Sequence, residues 1–212
     1  MGFLRGIIGR RSAAETVPDG LRMVVGLGNP GPEYARNRHN AGFQVVDVLA
    51  ERHHLTWDGF QKRARTVMGR IAMPGGQMVR VLLGKPMTYM NVSGESVAPL
   101  AAWYKVAPEN LLVVCDDLDL PIGRIRLRSG GGSGGQRGMQ SIIRLVGSEA
   151  FPRLRVGIGR PPGQMDPADY VLQNFSSAQE EEMQIVRQRA ADAIELWLAE
   201  GIEAAMNRCN GE

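Results

Sequence analysis

The sequence predicts a single-domain α/β protein, three-layered α/β/α, built on a mixed, mostly parallel twisted sheet. Three observations carry this. Short apolar runs that read as strands alternate along the chain with stretches of helical periodicity. Two strand-like stretches flank Pro74-Gly75-Gly76 as a hairpin, so the sheet is mixed rather than purely parallel. No internal repeat and no linker divides residues 21–212, and a chain of 212 residues suits one domain. Residues 1–20 are basic at Arg5, Arg10 and Arg11 and carry only Ile7-Ile8 as an apolar patch, so a flexible N-terminal extension is expected there.

The elements follow in order. Residues 22–28 (RMVVGLG) read as a buried strand ending in glycine, and Asn29-Pro30-Gly31-Pro32 is turn chemistry. Residues 40–51 place Phe43, Val46, Leu49 and Ala50 at helical spacing. Residues 65–73 and 78–83 are the hairpin strands, and residues 91–104 read as a helix opened by Asn91-Val92-Ser93-Gly94-Glu95. The apolar run 111–115 is a second buried strand. Residues 123–128 alternate arginine with Ile125 and Leu127, a half-exposed strand with its arginines on one face. A glycine loop at 130–135, a helix at 136–146 and an alternating strand at 153–159 come next. A long acidic amphipathic helix covers 177–200, with room for a short one after it.

Composition excludes several classes. No apolar run approaches the roughly 20 residues a membrane span needs. Cys115 and Cys209 lie far apart, with no CxxC and no Cys/His cluster, so neither a disulfide framework nor a zinc site is expected, and a reducing cytoplasm is. Charge is uneven. Residues 124–160 hold eight arginines and one acid, Glu149, a charge of +7, whereas residues 164–212 carry −7. That basic segment fits either a polyanion partner or a solvated face paired to the acidic C-terminal helix. Its lack of lysine favours phosphate, which the planar guanidinium grips in a bidentate fork.

Several short motifs have a blander use beside the functional one. Gly26-x-Gly28-x-x-Gly31 matches a dinucleotide fingerprint, but Asn29-Pro30-Gly31-Pro32 blocks the helix that must begin inside it. Gly131-x-Ser133-x-Gly135 matches a nucleophile elbow, yet no histidine follows Ser133 as that fold's order requires. Asp116-Asp117-Leu118-Asp119 can bind Mg²⁺, form a solvated turn, or orient a histidine. Asn91 can cap a helix or hold a ligand, and Tyr89-Met90 can be a core edge or meet the end of an extended ligand, with Tyr89 stacking on a base or sugar. Only three histidines exist, and His53-His54 sit at a helix end. His39, in a polar loop, is therefore the candidate for acid–base chemistry near neutral pH.

Taken together, Val24-Val25-Gly26-Leu27-Gly28-Asn29-Pro30-Gly31, then Tyr34, Arg38-His39-Asn40-Ala41-Gly42-Phe43, Lys85-Pro86-Met87-Thr88-Tyr89-Met90-Asn91-Val92-Ser93-Gly94, Asp116-Asp117-Leu118-Asp119-Leu120-Pro121 and Phe151-Pro152-Arg153-Leu154-Arg155-Val156-Gly157 resemble the bacterial-type peptidyl-tRNA hydrolases in order and spacing. The resemblance runs over residues 22–205. It implies hydrolysis of the ester joining a peptide to the 3′ ribose of tRNA, with His39 as general base and Asp116 as the carboxylate that keeps it basic. It implies that Asn29 distinguishes peptidyl-tRNA from aminoacyl-tRNA. Tyr34, Tyr89, Met90 and Asn91 then line the site for the 3′ CCA end and peptide backbone, and Arg128 and Arg155 reach phosphate of the acceptor stem. A monomer without metal or cofactor is expected, since an ester is already activated. One departure stands out: Gly135-Gln136-Arg137-Gly138 replaces the family's common Gly-His-Asn-Gly, which puts Arg137 where a substrate-holding asparagine is usual. That exchange leaves a non-catalytic RNA-binding relative of the same fold as the alternative.

Overall fold

A computed structural model describes residues 20–211. The expected extension over 1–20 lies, apart from Gly20, outside them. Among the described residues seven strands form one sheet in the order β2-β3-β4-β1-β5-β7-β6. They are β1 (Arg22–Gly26), β2 (Gly59–Gln61), β3 (Ala64–Ala72), β4 (Met78–Pro86), β5 (Leu111–Asp117), β6 (Ile125–Arg128) and β7 (Arg153–Gly157). The centre, β4-β1-β5-β7, is parallel, and β2, β3 and β6 add antiparallel flanks. Central strands are covered on both faces, so β1 is buried throughout and β5 exposes only its last residue in part.

Among the described residues six α-helices pack around the sheet: α1 (Ala41–Arg52), α2 (Gly94–Trp103), α3 (Arg137–Val146), α4 (Pro167–Val171), α5 (Ser177–Glu200) and α6 (Ile202–Cys209). One core lies under α1, α5 and α6 and contains Val24, Val46, Leu49, Leu112, Ile194 and Trp197. The other lies under α2 and α3 and contains Val25, Leu82, Leu100, Val113 and Ile142. Alternate residues of β1 and β5 thus point into opposite layers, as a pleat requires. No helix among the described residues is long and apolar enough to cross a membrane.

The differences from expectation have local causes. α2 begins at Gly94, because Met90–Val92 forms a separate 3₁₀ turn, and its N-cap is Ser93. Asn91 therefore does not cap this helix. The short edge strand β2 and the five-residue α4 carry too few residues for periodicity to show. α4 does bear its signature, an Asp166 cap accepting from the Ala168 amide with Pro167 in the first turn. β4 continues to Pro86 at the end of its ladder with β3, beyond the apolar run that marked it.

The glycines of the apparent dinucleotide motif serve packing. A Cβ on Gly26 would sit 2.2 Å from the Gly42 carbonyl oxygen, and one on Gly42 would sit 2.4 Å from both the Leu27 nitrogen and the Val114 oxygen. β1 and the first turn of α1 therefore touch backbone to backbone, which brings the loop between them close against the sheet end. In an ordinary helix Gly→Ala stabilises by about 1 kcal/mol. Here Gly42→Ala should instead destabilise by about 1–3 kcal/mol through overpacking. Urea unfolding checks the sign, and a midpoint at or above wild type would refute the contact.

Candidate active site

Ligands of open α/β sheets bind outside the carboxyl ends of the parallel strands. There the structure has a cleft of about 1100 Å³. Its walls come from the loop after β1, the β4–α2 joint, the end of β5, the glycine loop and the end of β7. All ten residues singled out in the sequence line it: Asn29, Tyr34, His39, Tyr89, Met90, Asn91, Asp116, Arg128, Arg137 and Arg155.

His39 sits in a 3₁₀ turn, Arg38–Asn40, directly before α1. Its neighbour Arg38 anchors that turn. The Arg38 guanidinium lies over the Tyr170 and Phe175 rings at 4.3 and 5.2 Å and donates to the Asn174 carbonyl (2.7 Å) and Gln179 Oε1 (3.0 Å). His39 Nδ1 lies 2.7 Å from Asp116 Oδ2, with side-chain exposures of 15% and 3%. A carboxylate only accepts, so Nδ1 carries the proton and Nε2 is left as the free base nitrogen. Burial pulls the ring's pKa down most strongly. The charge and hydrogen bond of Asp116 outweigh it against a further downward pull from Arg137, and the net shift is upward from 6.5.

A second network fixes Asn29. Its backbone N–H donates to Asn40 Oδ1 and its carbonyl accepts from Asn40 Nδ2, both at 2.9 Å. Its side-chain Oδ1 accepts from the Met90 backbone N–H at 2.8 Å, which orients the amide and leaves Nδ2 as a donor for the cleft. Met90 is buried, whereas Tyr89 is 61% exposed at the rim. Tyr34 is half-buried, and Asn91 and Arg137 are exposed.

The basic segment divides. Arg153 is buried under the glycine loop, where it donates to the carbonyls of Gly131, Gly132 and Glu149. It is thus a post for the loop rather than a phosphate contact. Arg155 pairs with Asp117 and Arg160 with Asp119, so the acids at the end of β5, not α5, neutralise part of this segment. The acids of α5 meet other partners, Arg52 with Asp192 and Glu195, and Arg187 with Glu180. With Asp116 on His39, each of the three acids at and just after the end of β5 has a cationic or imidazole partner. Among the described residues no group of three His, Cys, Asp or Glu gathers as metal ligands. Ser133 lines the cleft but makes no hydrogen bond to His39.

Sequence reasoning missed Asn40, which holds Asn29, and Gln136, whose Nε2 donates to Asp116 Oδ1 at 3.1 Å. Asn40 was visible only as the neighbour of His39. Gln136 was visible only as half of the Gln-Arg exchange. Both act through hydrogen bonds to residues distant in the chain.

A family model described as peptidyl-tRNA hydrolase matches residues 23–212. The chain is 52% identical over 189 residues to a peptidyl-tRNA hydrolase of Chloroflexus aggregans, covering 89% of this chain and 98% of that one. It is 54% identical over 189 residues to one of Roseiflexus castenholzii, covering 89% and 86%. A crystal structure of peptidyl-tRNA hydrolase from Acinetobacter baumannii is similar with a TM-score of 0.80 at 40% identity, covering 90% of this chain and 94% of that chain.

The His39 environment makes a titration prediction. NMR of the ring should give a pKa above 6.5 in the wild type. In Asp116→Asn the carboxylate's charge is gone while burial and Arg137 remain, so the value should fall below 6.5. A ring that titrates alike in both proteins would break the assigned pairing.

Proposed function

This chain belongs to the peptidyl-tRNA hydrolase family, and from that premise we propose that it cleaves the ester between a peptide and the 3′ ribose of tRNA with His39 as general base on water. The observation that carries the reading is the 2.7 Å contact from His39 Nδ1 to Asp116 Oδ2 at the floor of a cleft wide enough for an extended substrate.

In this mechanism a water held at Nε2 gives up a proton as its oxygen attacks the ester carbonyl carbon. The imidazolium that forms is stabilised by the Asp116 carboxylate. Asn29 Nδ2 donates to the carbonyl oxygen as it gains charge, and the amide is neutral at every pH of interest, so it does not compete for the proton. The tetrahedral intermediate collapses by breaking the bond to the ribose oxygen, which takes the proton back from His39. Free tRNA and a peptide carboxylic acid result, and the acid gives its proton to solvent. A positioned base contributes about 10²–10⁴-fold and one oxyanion donor about 10²–10³-fold. That suffices for an ester without a covalent intermediate.

The remaining contacts follow from reach and exposure. Tyr34, Tyr89, Met90 and Asn91 receive the 3′ CCA end and the peptide backbone, with the exposed Tyr89 ring as a stacking surface. Arg137, exposed at the cleft, donates to the terminal phosphate or ribose. Arg128 and Arg155 take acceptor-stem phosphate, and Arg128 carries more of this because Asp117 already occupies Arg155. A monomer is the working unit in this reading. Cys115 is buried, its thiol pushed far above the ordinary range first by burial and then by Asp116 and Asp117, which fits a reducing cytoplasm and no thiol chemistry.

Two experiments test this. His39→Ala should lose nearly all release of N-blocked amino acid from tRNA while binding tRNA as tightly as wild type. Wild-type turnover in that variant would end the mechanism, and no turnover in the wild type would favour the non-catalytic RNA-binding alternative. Arg128→Ala should weaken tRNA binding and lower the slope of log affinity against log salt by about 1, with a smaller change for Arg155→Ala. Equal slopes in all three proteins would remove the phosphate contacts.

A further inference from the structure

Gln136 stands at the N-cap of α3, one residue before Arg137, in the exchanged Gln-Arg pair. Its amide is used from both ends. Oε1 accepts from the Met139 backbone N–H at 2.6 Å, satisfying one of the N–H groups that the first turn of a helix leaves without a partner. Nε2 lies 3.1 Å from Asp116 Oδ1 and 3.1 Å from Met90 Sδ. A glutamine amide has one acceptor and one donor end. Turned over, it would set its NH₂ against the Met139 N–H and its oxygen against a carboxylate. The helix terminus therefore dictates that only a donor faces Asp116.

We propose that Gln136 is a positioning residue for the hydrolysis: clamped by the first turn of α3, its Nε2 donates to Asp116 Oδ1 and holds the carboxylate so that Oδ2 meets His39 Nδ1. The proposal rests on the reading of His39 and Asp116 given above. Asp116 then has one oxygen on each partner, and rotation about its Cβ–Cγ bond is blocked from both sides. The ring in turn keeps Nε2 towards the cleft. This links the base to a rigid element. α3 is held close by Gly138, where an added Cβ would lie 2.5 Å from Met90 Sδ and 3.0 Å from Leu27 Cδ1. The backbone N–H of Met90 orients Asn29, so one small cluster sets both the base and the amide donor.

A helix cap and a positioning group can be separated. Gln136→Glu keeps an oxygen for the Met139 N–H, and a negative charge suits a helix N-terminus. The cap and the melting temperature should therefore be kept. The donor to Asp116 is lost, and a carboxylate now stands beside it. Turnover should fall on the order of tenfold or more, the scale known for groups that orient a metal-bound side chain. The acid limb of kcat/KM should move to higher pH, because a second negative charge near His39 favours the imidazolium. Gln136→His, whose imidazole can donate one N–H to Asp116, should recover turnover to within a few-fold of wild type and return the limb. A Glu variant with wild-type turnover, a limb that stays in place, or a His variant as slow as the Glu variant would each overturn the assignment. If His39→Ala is inactive while Gln136→Glu is normal, only the role of Gln136 falls. If His39→Ala keeps its rate, the underlying reading falls as well.

Discussion

The hydrogen bond between His39 and Asp116 joins residues 77 apart in the chain, and the surrounding fold is what makes it possible. β1 and β5 are adjacent and parallel, so the turn that follows β1 opens at the same end of the sheet as the last residues of β5. The close approach of β1 to α1 through Gly26 and Gly42 pulls that turn down to the sheet end. Arg38, sandwiched among Tyr170, Phe175 and the segment before α5, keeps the turn from swinging away. A ring–carboxylate pair in so little water is useful only if its geometry is fixed, because an unpaired buried acid would be costly.

The electrostatics follow from the same placement. Burial alone would leave the imidazole with little affinity for a proton. The Asp116 charge restores that affinity, and Arg137 subtracts from it. The ring therefore works between two opposing charges, one fixed beneath it and one exposed at the cleft. Arg137 thus sets this balance as well as reaching into the cleft. The arginine-rich segment is likewise not one feature. Arg153 supports the glycine loop from below, Arg155 answers Asp117 at the end of β5, Arg160 answers Asp119 just after it, and Arg128 remains exposed at the cleft.

Much of the framework was legible in the sequence because it is periodic. β1 and β5 are apolar runs buried on both faces, β6 alternates, and α1 places its apolar residues three and four apart. Elements too short to establish a period, β2 and α4, were not legible, and the start of α2 moved because a 3₁₀ turn precedes it. At the site, residue types and their order located His39, Asp116 and Asn29. What orients those three was hidden. Asn40, Gln136 and the Met90 backbone N–H act through hydrogen bonds across 11, 20 and 61 positions, and such bonds leave no spacing to read. The buried place of Arg153 was hidden for the same reason, since its partners are backbone carbonyls.

The central claim is that one neutral imidazole, held by a carboxylate, takes the proton from water. Measuring kcat/KM for peptidyl-tRNA against pH, beside the NMR titration of the His39 ring in the same enzyme, tests it most directly. The account predicts that the rate declines on the acid side with the same midpoint as the ring, above 6.5. A rate that stays level through the pH range in which the ring becomes protonated would contradict it.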